Sequence, residues 1–295
     1  MSTLSPESQG EKLKTTVPGY NQCSGQAHFW LRRLHSLMGI VFGGYIVVHL
    51  VVNATGLWPK VYQQNVDKIH QMEPMLPLIE IIAIFTPLLI HLLYGIYIAT
   101  AGVSYETTFK YNYGGNWRYL LQRVTGILLV VFLLYHIGTL HKWGLALLGV
   151  NGYPLFNDEN MAYQSTVSAI KTPYQVAAAN YAVITLYLLG VWSAAFHFAN
   201  GLWTAAIAWG LTTTRAAQKR WGNVCCGLGI FLLLVGTVAW VAFAVIGNPQ
   251  LDEEKTRTKS DAEVMLTPEI SDKGHTVAAP PKLVAPASTE TNTDH

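Results

Sequence analysis

Charge is what this 295-residue chain has least of. Lys, Arg, Asp and Glu make up 12% of it, about half of the roughly 25% an ordinary soluble domain carries. Hydrophobic residues reach 51% and mean hydropathy is +0.27, so the composition excludes an ordinary soluble domain and points to an integral membrane protein. The net charge of +2 comes with no basic cluster of the kind nucleic acids need, and no nucleic-acid partner is expected. Cysteine is scarce too. Cys23 stands alone and Cys225-Cys226 are adjacent in an apolar stretch, which excludes a disulfide framework. The absence of Cys-x-x-Cys-His excludes covalent c-type haem attachment. The polar first 27 residues, with Pro18 and Gly19, lack the short apolar core of a signal peptide, so the first apolar segment is expected to stay as a membrane helix.

What the chain does have is five apolar segments: Leu34–Leu57, Leu78–Val103, Tyr119–Val150, Tyr174–Trp209 and Val224–Ile246. Each is long enough to cross ~30 Å of hydrocarbon. The expected fold is an all-α integral membrane protein with five transmembrane helices in one bundle. The fourth segment would reach ~54 Å as a single helix, so it must protrude or tilt. Pro173 suits that helix's first turn, and Pro87 should kink the second span. Val61–Met72 reads as a short amphipathic helix on the membrane surface. Residues 1–27 read as a polar leader, 28–247 as the membrane domain and 248–295 as a disordered polar tail.

Basic residues gather at alternate ends of the segments. The leader and first turn (Lys12, Lys14, Arg32, Arg33), the second connection (Lys110, Arg118, Arg123) and the fourth (Arg215, Lys219, Arg220) hold them. The other two connections hold Lys60, Lys68, Lys142 and Lys171. The bias predicts a cytoplasmic N-terminus and an outside C-terminus.

Each of the first four apolar segments buries one histidine: His49, His91, His136 and His197. An ionisable side chain inside a span is costly and marks a functional site by default, although a lone one is more often satisfied by a neighbouring helix. His49 lies ~24 Å along its helix from Arg33. His136 follows Arg123 on a second outward-going helix, and His91 and His197 sit on inward-going ones. Depth therefore sorts them into an outer pair, His49/His136, and an inner pair, His91/His197. Two imidazoles facing one another at one depth suit the two axial positions of a haem iron. Gly95 and Gly201, each four residues after a histidine and on its face, would make room for the macrocycle, as would Gly44 and Gly126. Close helix packing alone also uses such glycines.

Other polar residues carry less. His35, Arg32 and Arg33 read as interfacial residues that snorkel or hold haem propionates. His28, His70, His141, His275 and His295 read as solvated. Glu73 and Glu80, with Asn53 and Trp58, are candidates to line an outer quinone site, against the plain alternative of an interfacial carboxylate and an aromatic belt.

The blocks Arg32-Arg33-Leu-His35-Ser-Leu-Met-Gly39, His49-Leu-Val-Val-Asn53, Pro87-Leu-Leu-Ile-His91, Gln122-Arg123-Val-Thr-Gly126 and His197-Phe-Ala-Asn-Gly201-Leu-Trp203 resemble those of a known family. It is the single-subunit dihaem cytochrome b of succinate:quinone oxidoreductases, a type also found in quinol:fumarate reductases. The resemblance covers roughly residues 26–247. It implies two b haems, with His49, His91, His136 and His197 as axial ligands, in a prokaryotic cytoplasmic membrane. It also implies a flavoprotein carrying FAD and an iron–sulfur subunit on the cytoplasmic side, with quinone, expected to be menaquinone, reduced near the outer haem. Some members carry a glutamate two residues before the fourth-helix histidine, linked to proton return across the membrane. Here that position is Ala195.

Two other readings compete. A bc-type cytochrome would carry two histidines on each of two helices, and this sequence places one on each of four. A haem-free transporter or scaffold would hold its histidines in polar networks.

Overall fold

The computed structural model describes residues 22–100, 114–141, 162–171 and 176–247, with side chains from residue 26 onward, and every described element is helical. Residues 1–21, the tail from 248, Lys110, Lys142 and Pro173 lie outside the described residues. The helices are α1 (Gln22–Ala54), α2 (Pro59–His70), α3 (Leu76–Thr100), α4 (Gly114–Leu140), α5 (Ala162–Lys171), α6 (Ala177–Ala208) and α7 (Arg215–Trp240), the last running on into a π-helical turn, Val241–Ile246. Five of them, α1, α3, α4, α6 and α7, are long and apolar enough to cross a membrane.

Several boundaries differ from the sequence reading, each for a local reason. α1 begins at Gln22, inside the stretch read as leader. α6 starts at Ala177, three residues later than expected. It stops in a glycine-dependent turn: Gly210 takes φ +74, and the Leu211 and Gly210 amides donate to the carbonyls of Ala206 (2.9 Å) and Ile207 (3.0 Å), a Schellman ending. Four residues on, the Thr214 hydroxyl accepts from the Ala217 amide at 3.2 Å and caps α7. The basic stretch read as a connection is thus the first turns of α7. Within α3, residues Glu80–Phe85 are π-helical. The irregularity expected of Pro87 is taken up in the turn just before it, where the Thr86 amide reaches back to Ile81.

α1 packs against α3, α6 and α7, and α4 against α6; α3 and α4 meet more sparsely. The four histidine-bearing helices are therefore neighbours around the bundle, and α7 backs α1 and α6. Small residues bring the backbones together: a Cβ at Gly190 would run into the Phe132 ring, and one at Gly236 into Val191, as expected where helices associate by close packing.

The short helices close one end. α2 presents Tyr62 and Val66, one turn apart, to a buried cluster with Tyr163, Val167 and Ile170 of α5 and Phe243 of the terminal π turn. The Tyr62 hydroxyl meets the Thr166 hydroxyl at 3.1 Å, and burial pushes the Tyr62 phenol pKa up. Lys171 Nζ donates to the carbonyls of Val245 (3.0 Å) and Gly247 (2.7 Å), satisfying acceptors a helix end leaves open. α5 was not read from the sequence.

Candidate functional site

His49 of α1 and His136 of α4 face each other with ring centres 5.9 Å apart and planes at 86°. His91 of α3 and His197 of α6 do the same at 6.0 Å and 85°. These are the two pairs that depth along the helices had grouped.

The separation has a chemical meaning. A metal–imidazole bond is about 2 Å, and a ring centre lies about 1.1 Å behind its bonding nitrogen, so two imidazoles trans on one metal have centres roughly 6 Å apart. The hydrogen bonds fit as well. His91 Nδ1 lies 2.9 Å from the His35 carbonyl oxygen, and His197 Nδ1 lies 3.1 Å from that of Gln122. A carbonyl oxygen only accepts, so in both rings Nδ1 carries the proton and Nε2 keeps its lone pair. No protein group among the described residues bonds either Nε2. Among the described residues no three His, Cys, Asp or Glu side chains converge on one point, as a protein-only metal cage would require; a macrocycle asks only for axial ligands. The residues present fit a b haem at each pair.

The surroundings of the two pairs differ. The inner pair is tied by a polar network that joins α4 to α6. Gln122 Nε2 donates to the His197 carbonyl at 3.1 Å, Asn200 Nδ2 donates to Gln122 Oε1 at 2.8 Å, and the Thr125 hydroxyl is 3.3 Å from His197 Nδ1. The outer pair is set in aromatic rings. Phe132 stacks beside His136 at 5.4 Å, Tyr187 stands edge-on to it at 5.8 Å, and the Tyr45 hydroxyl is 3.3 Å from His49 Nδ1.

The glycines divide differently from the sequence expectation. Gly95 faces His35, where a Cβ would lie 3.1 Å from that ring, and Gly201 faces the Gln122 amide, where it would lie 3.6 Å away. The glycines against the inner imidazoles are Gly39, where a Cβ would lie 2.6 Å from the His91 ring, and Gly126, where it would lie 3.1 Å from His197. Gly44 has open space beside it. Because His91 is pinned by its hydrogen bond to α1, its ring cannot yield to a side chain at residue 39. If each pair holds a b haem, Gly39→Val is expected to strip the inner one and leave the outer one, read from haem content and the reduced-minus-oxidised spectrum; two intact haems would contradict this placement.

Of the quinone-site candidates, Asn53 donates to the His49 carbonyl at 2.8 Å, and Glu80 lies 3.8 Å from His141. Trp58 and Glu73 are exposed. No hydrogen bond or ion pair joins any two of the four. Three histidines read as solvated or interfacial are engaged across helices instead. His28 is bonded to the Tyr94 hydroxyl at 2.6 Å, because α1 extends far enough for His28 to meet α3. His141 ends α4 beside Glu80. His35 lies flat against His91, with ring centres 4.0 Å apart. His70 Nδ1 lies 3.0 Å from the Val66 carbonyl, one turn back in α2; His275 and His295 lie outside the described residues.

Basic side chains mark the end of the bundle nearer the inner pair. Arg33 donates to the Ala208 carbonyl at 3.3 Å, Arg123 to that of Ile98 at 3.2 Å, and Arg118 lies 4.3 Å over the Trp203 ring. Two helix C-termini, those of α3 and α6, are thus covered by cationic groups, which suits the helix dipole as well.

No protein-family model matches the sequence. The chain is 33% identical over 221 residues to the succinate dehydrogenase cytochrome b558 subunit of Bacillus subtilis (strain 168), a match that takes in 75% of this chain and 99% of that protein.

Proposed function

Because the chain belongs to the family of succinate dehydrogenase cytochrome b subunits, we propose that it anchors such a complex in the prokaryotic cytoplasmic membrane and relays electrons to quinone through two b haems. The observation that supports the relay is the pair of facing imidazoles, repeated at two depths with ring centres 5.9 and 6.0 Å apart. His91 and His197 would hold the inner haem, and His49 and His136 the outer one. A b haem, when bound, supplies a one-electron carrier.

The chain's own residues do the rest. Carbonyls of His35 and Gln122 fix the tautomer that leaves Nε2 of His91 and His197 free to ligate. A haem held by an imidazole pair would supply electron transfer rather than oxygen chemistry. Tyr62, Phe243 and α5 close the bundle beyond the outer pair and limit water there. The basic end, with Arg33, Arg118, Arg123 and the start of α7, faces the cytoplasm and receives the iron–sulfur subunit, itself fed by the flavoprotein. Quinone, with menaquinone as the expected species, is reduced at the opposite end, near Asn53 and Glu80.

The test is purification of the intact complex through this chain. A flavin-containing and an iron–sulfur subunit should accompany it, and succinate should reduce most of the b haem that dithionite reduces. A chain that purifies alone, or whose haem succinate leaves oxidised while dithionite reduces it, would overturn the assignment.

A further inference from the structure

At the basic end of the bundle, the start of α1 and the end of α6 leave a groove of about 560 Å³ between them. Trp30, Leu31, Arg33, Leu34 and Leu37 of α1 line it, with Trp209, the residue after α6. Its size is that of a small-molecule site. Leu31, Leu34 and Leu37 are spaced three apart, so the apolar floor runs along the helix axis and down the flank of the bundle. All three leucines are between 40% and 44% exposed. Arg33 brings the groove its charge. The guanidinium carbon lies 3.6 Å over the Phe29 ring and 5.7 Å from that of Trp209. Trp209 is held in turn by a 2.8 Å hydrogen bond from Nε1 to the Ser36 hydroxyl. A guanidinium has five N–H donors. Among the described residues, this one makes a single hydrogen bond, to the Ala208 carbonyl, and no ion pair. The described acidic residues, Asp67, Glu73 and Glu80, all belong to α2, α3 and the turn between them, at the opposite end. A cation with donors to spare thus heads an apolar groove, beside a second cation, Arg32, and away from any described carboxylate.

We propose that this groove binds one anionic phospholipid of the leaflet at the basic end. Its phosphate sits on Arg33 and one acyl chain lies along Leu31, Leu34 and Leu37. Trp30 and Trp209 stand at the level of the head groups, where amphipathic rings belong in a bilayer. The planar guanidinium can meet a phosphate with two parallel hydrogen bonds, and basic pockets between membrane helices suit anionic head groups. Charge selects against a zwitterionic lipid, whose ammonium would face Arg32 and Arg33 with no described carboxylate to receive it. The site is separate from the histidine pairs and holds whether or not they carry haem.

The test takes the intact complex, stripped of lipid in detergent and reconstituted into phosphatidylcholine nanodiscs with a minor share of phosphatidylglycerol. Native mass spectrometry then counts the lipids that stay bound after release. The wild type should keep one phosphatidylglycerol per copy of this chain. Arg33→Gln, which can still donate to the Ala208 carbonyl but carries no charge, should weaken that binding roughly tenfold or more. Arg33→Lys should keep part of it. Leu34→Trp fills the groove from an exposed position and leaves Arg33 in place, and it should weaken binding as much as Arg33→Gln does. This variant decides the matter even if Arg33→Gln fails to assemble. Phosphatidylcholine retained equally well by the wild type, or wild-type retention of phosphatidylglycerol in Leu34→Trp or an assembled Arg33→Gln, would overturn the proposal. So would another occupant of the groove. An iron–sulfur subunit covering it would admit the lipid only once removed, and a second copy of the chain would appear as a dimer that Leu34→Trp dissociates.

Discussion

His91→Ala should leave the chain with one b haem, the outer one, and His49→Ala should leave it with the inner one. The expectation follows from the partners of each ring. Deleting the His91 imidazole removes the group 6.0 Å from His197 and leaves the carbonyl of His35 without its donor. His197 is left without the imidazole that faces it, and its neighbours on α1 and α6 relax only partly. The His49/His136 pair sits at another depth, enclosed by Phe132, Tyr187 and Tyr45, and shares none of those contacts. His197→Ala should therefore copy His91→Ala, and His136→Ala should copy His49→Ala. In every case succinate-to-quinone turnover should drop by at least about 100-fold, the upper scale on which even outer-shell partners of a metal act. Potentiometric titration of the four variants reads the pairing directly. Should His49 and His91 substitutions remove the same haem, the pairing is wrong.

The second large effect is electrical. In the proposed orientation, electrons enter at the inner pair by the basic end and leave at the outer pair, and quinone takes its protons from outside. Each electron then crosses toward the positive side of an inside-negative membrane. That is worth ~2.3 kcal/mol per 100 mV, or ~4.6 kcal/mol for the two electrons a quinone accepts. Because about 1.4 kcal/mol is a factor of ten in an equilibrium constant, such a term is large enough to drive reduction of a low-potential quinone. Ala195 offers no carboxylate for a proton path across the membrane two residues before His197, so nothing at that position returns protons to cancel the charge moved. An uncoupler added to energised, tightly coupled vesicles should slow succinate-to-menaquinone turnover several-fold, while turnover with an artificial acceptor at the succinate-oxidising subunits stays constant. Turnover indifferent to the potential, in an intact enzyme, would remove either the outer quinone site or the coupling.

Much of this was legible in the sequence because the bilayer simplifies the problem. A histidine in an apolar span has a depth that counting residues gives, and counting alone groups His49 with His136 and His91 with His197. Contacts that depend on how helices cross were not legible. His35 and His91 are 56 residues apart and meet only because α1 and α3 pack face to face; beside Arg32 and Arg33, a histidine reads as interfacial. Gln122 likewise meets His197 across 75 residues. Gly95 and Gly201 share a helical face with their histidines, but the rings turn toward other helices, so Gly39 and Gly126 are the close ones. The α6–α7 turn is a different case. Gly210 and Thr214 are an ordinary stop and start signal, and the charges of Arg215, Lys219 and Arg220 obscured it by resembling a loop. α5 lacks a signal of its own length or period; its buried face exists because α2 and the terminal π turn are there to receive it.

The most direct measurement for the whole account is the ratio of protohaem to polypeptide in the purified complex, by pyridine haemochrome assay against quantified protein. Two histidine pairs, each with ring centres near the separation of trans axial ligands, predict two haems per chain. A ratio of one, or of none, would contradict it.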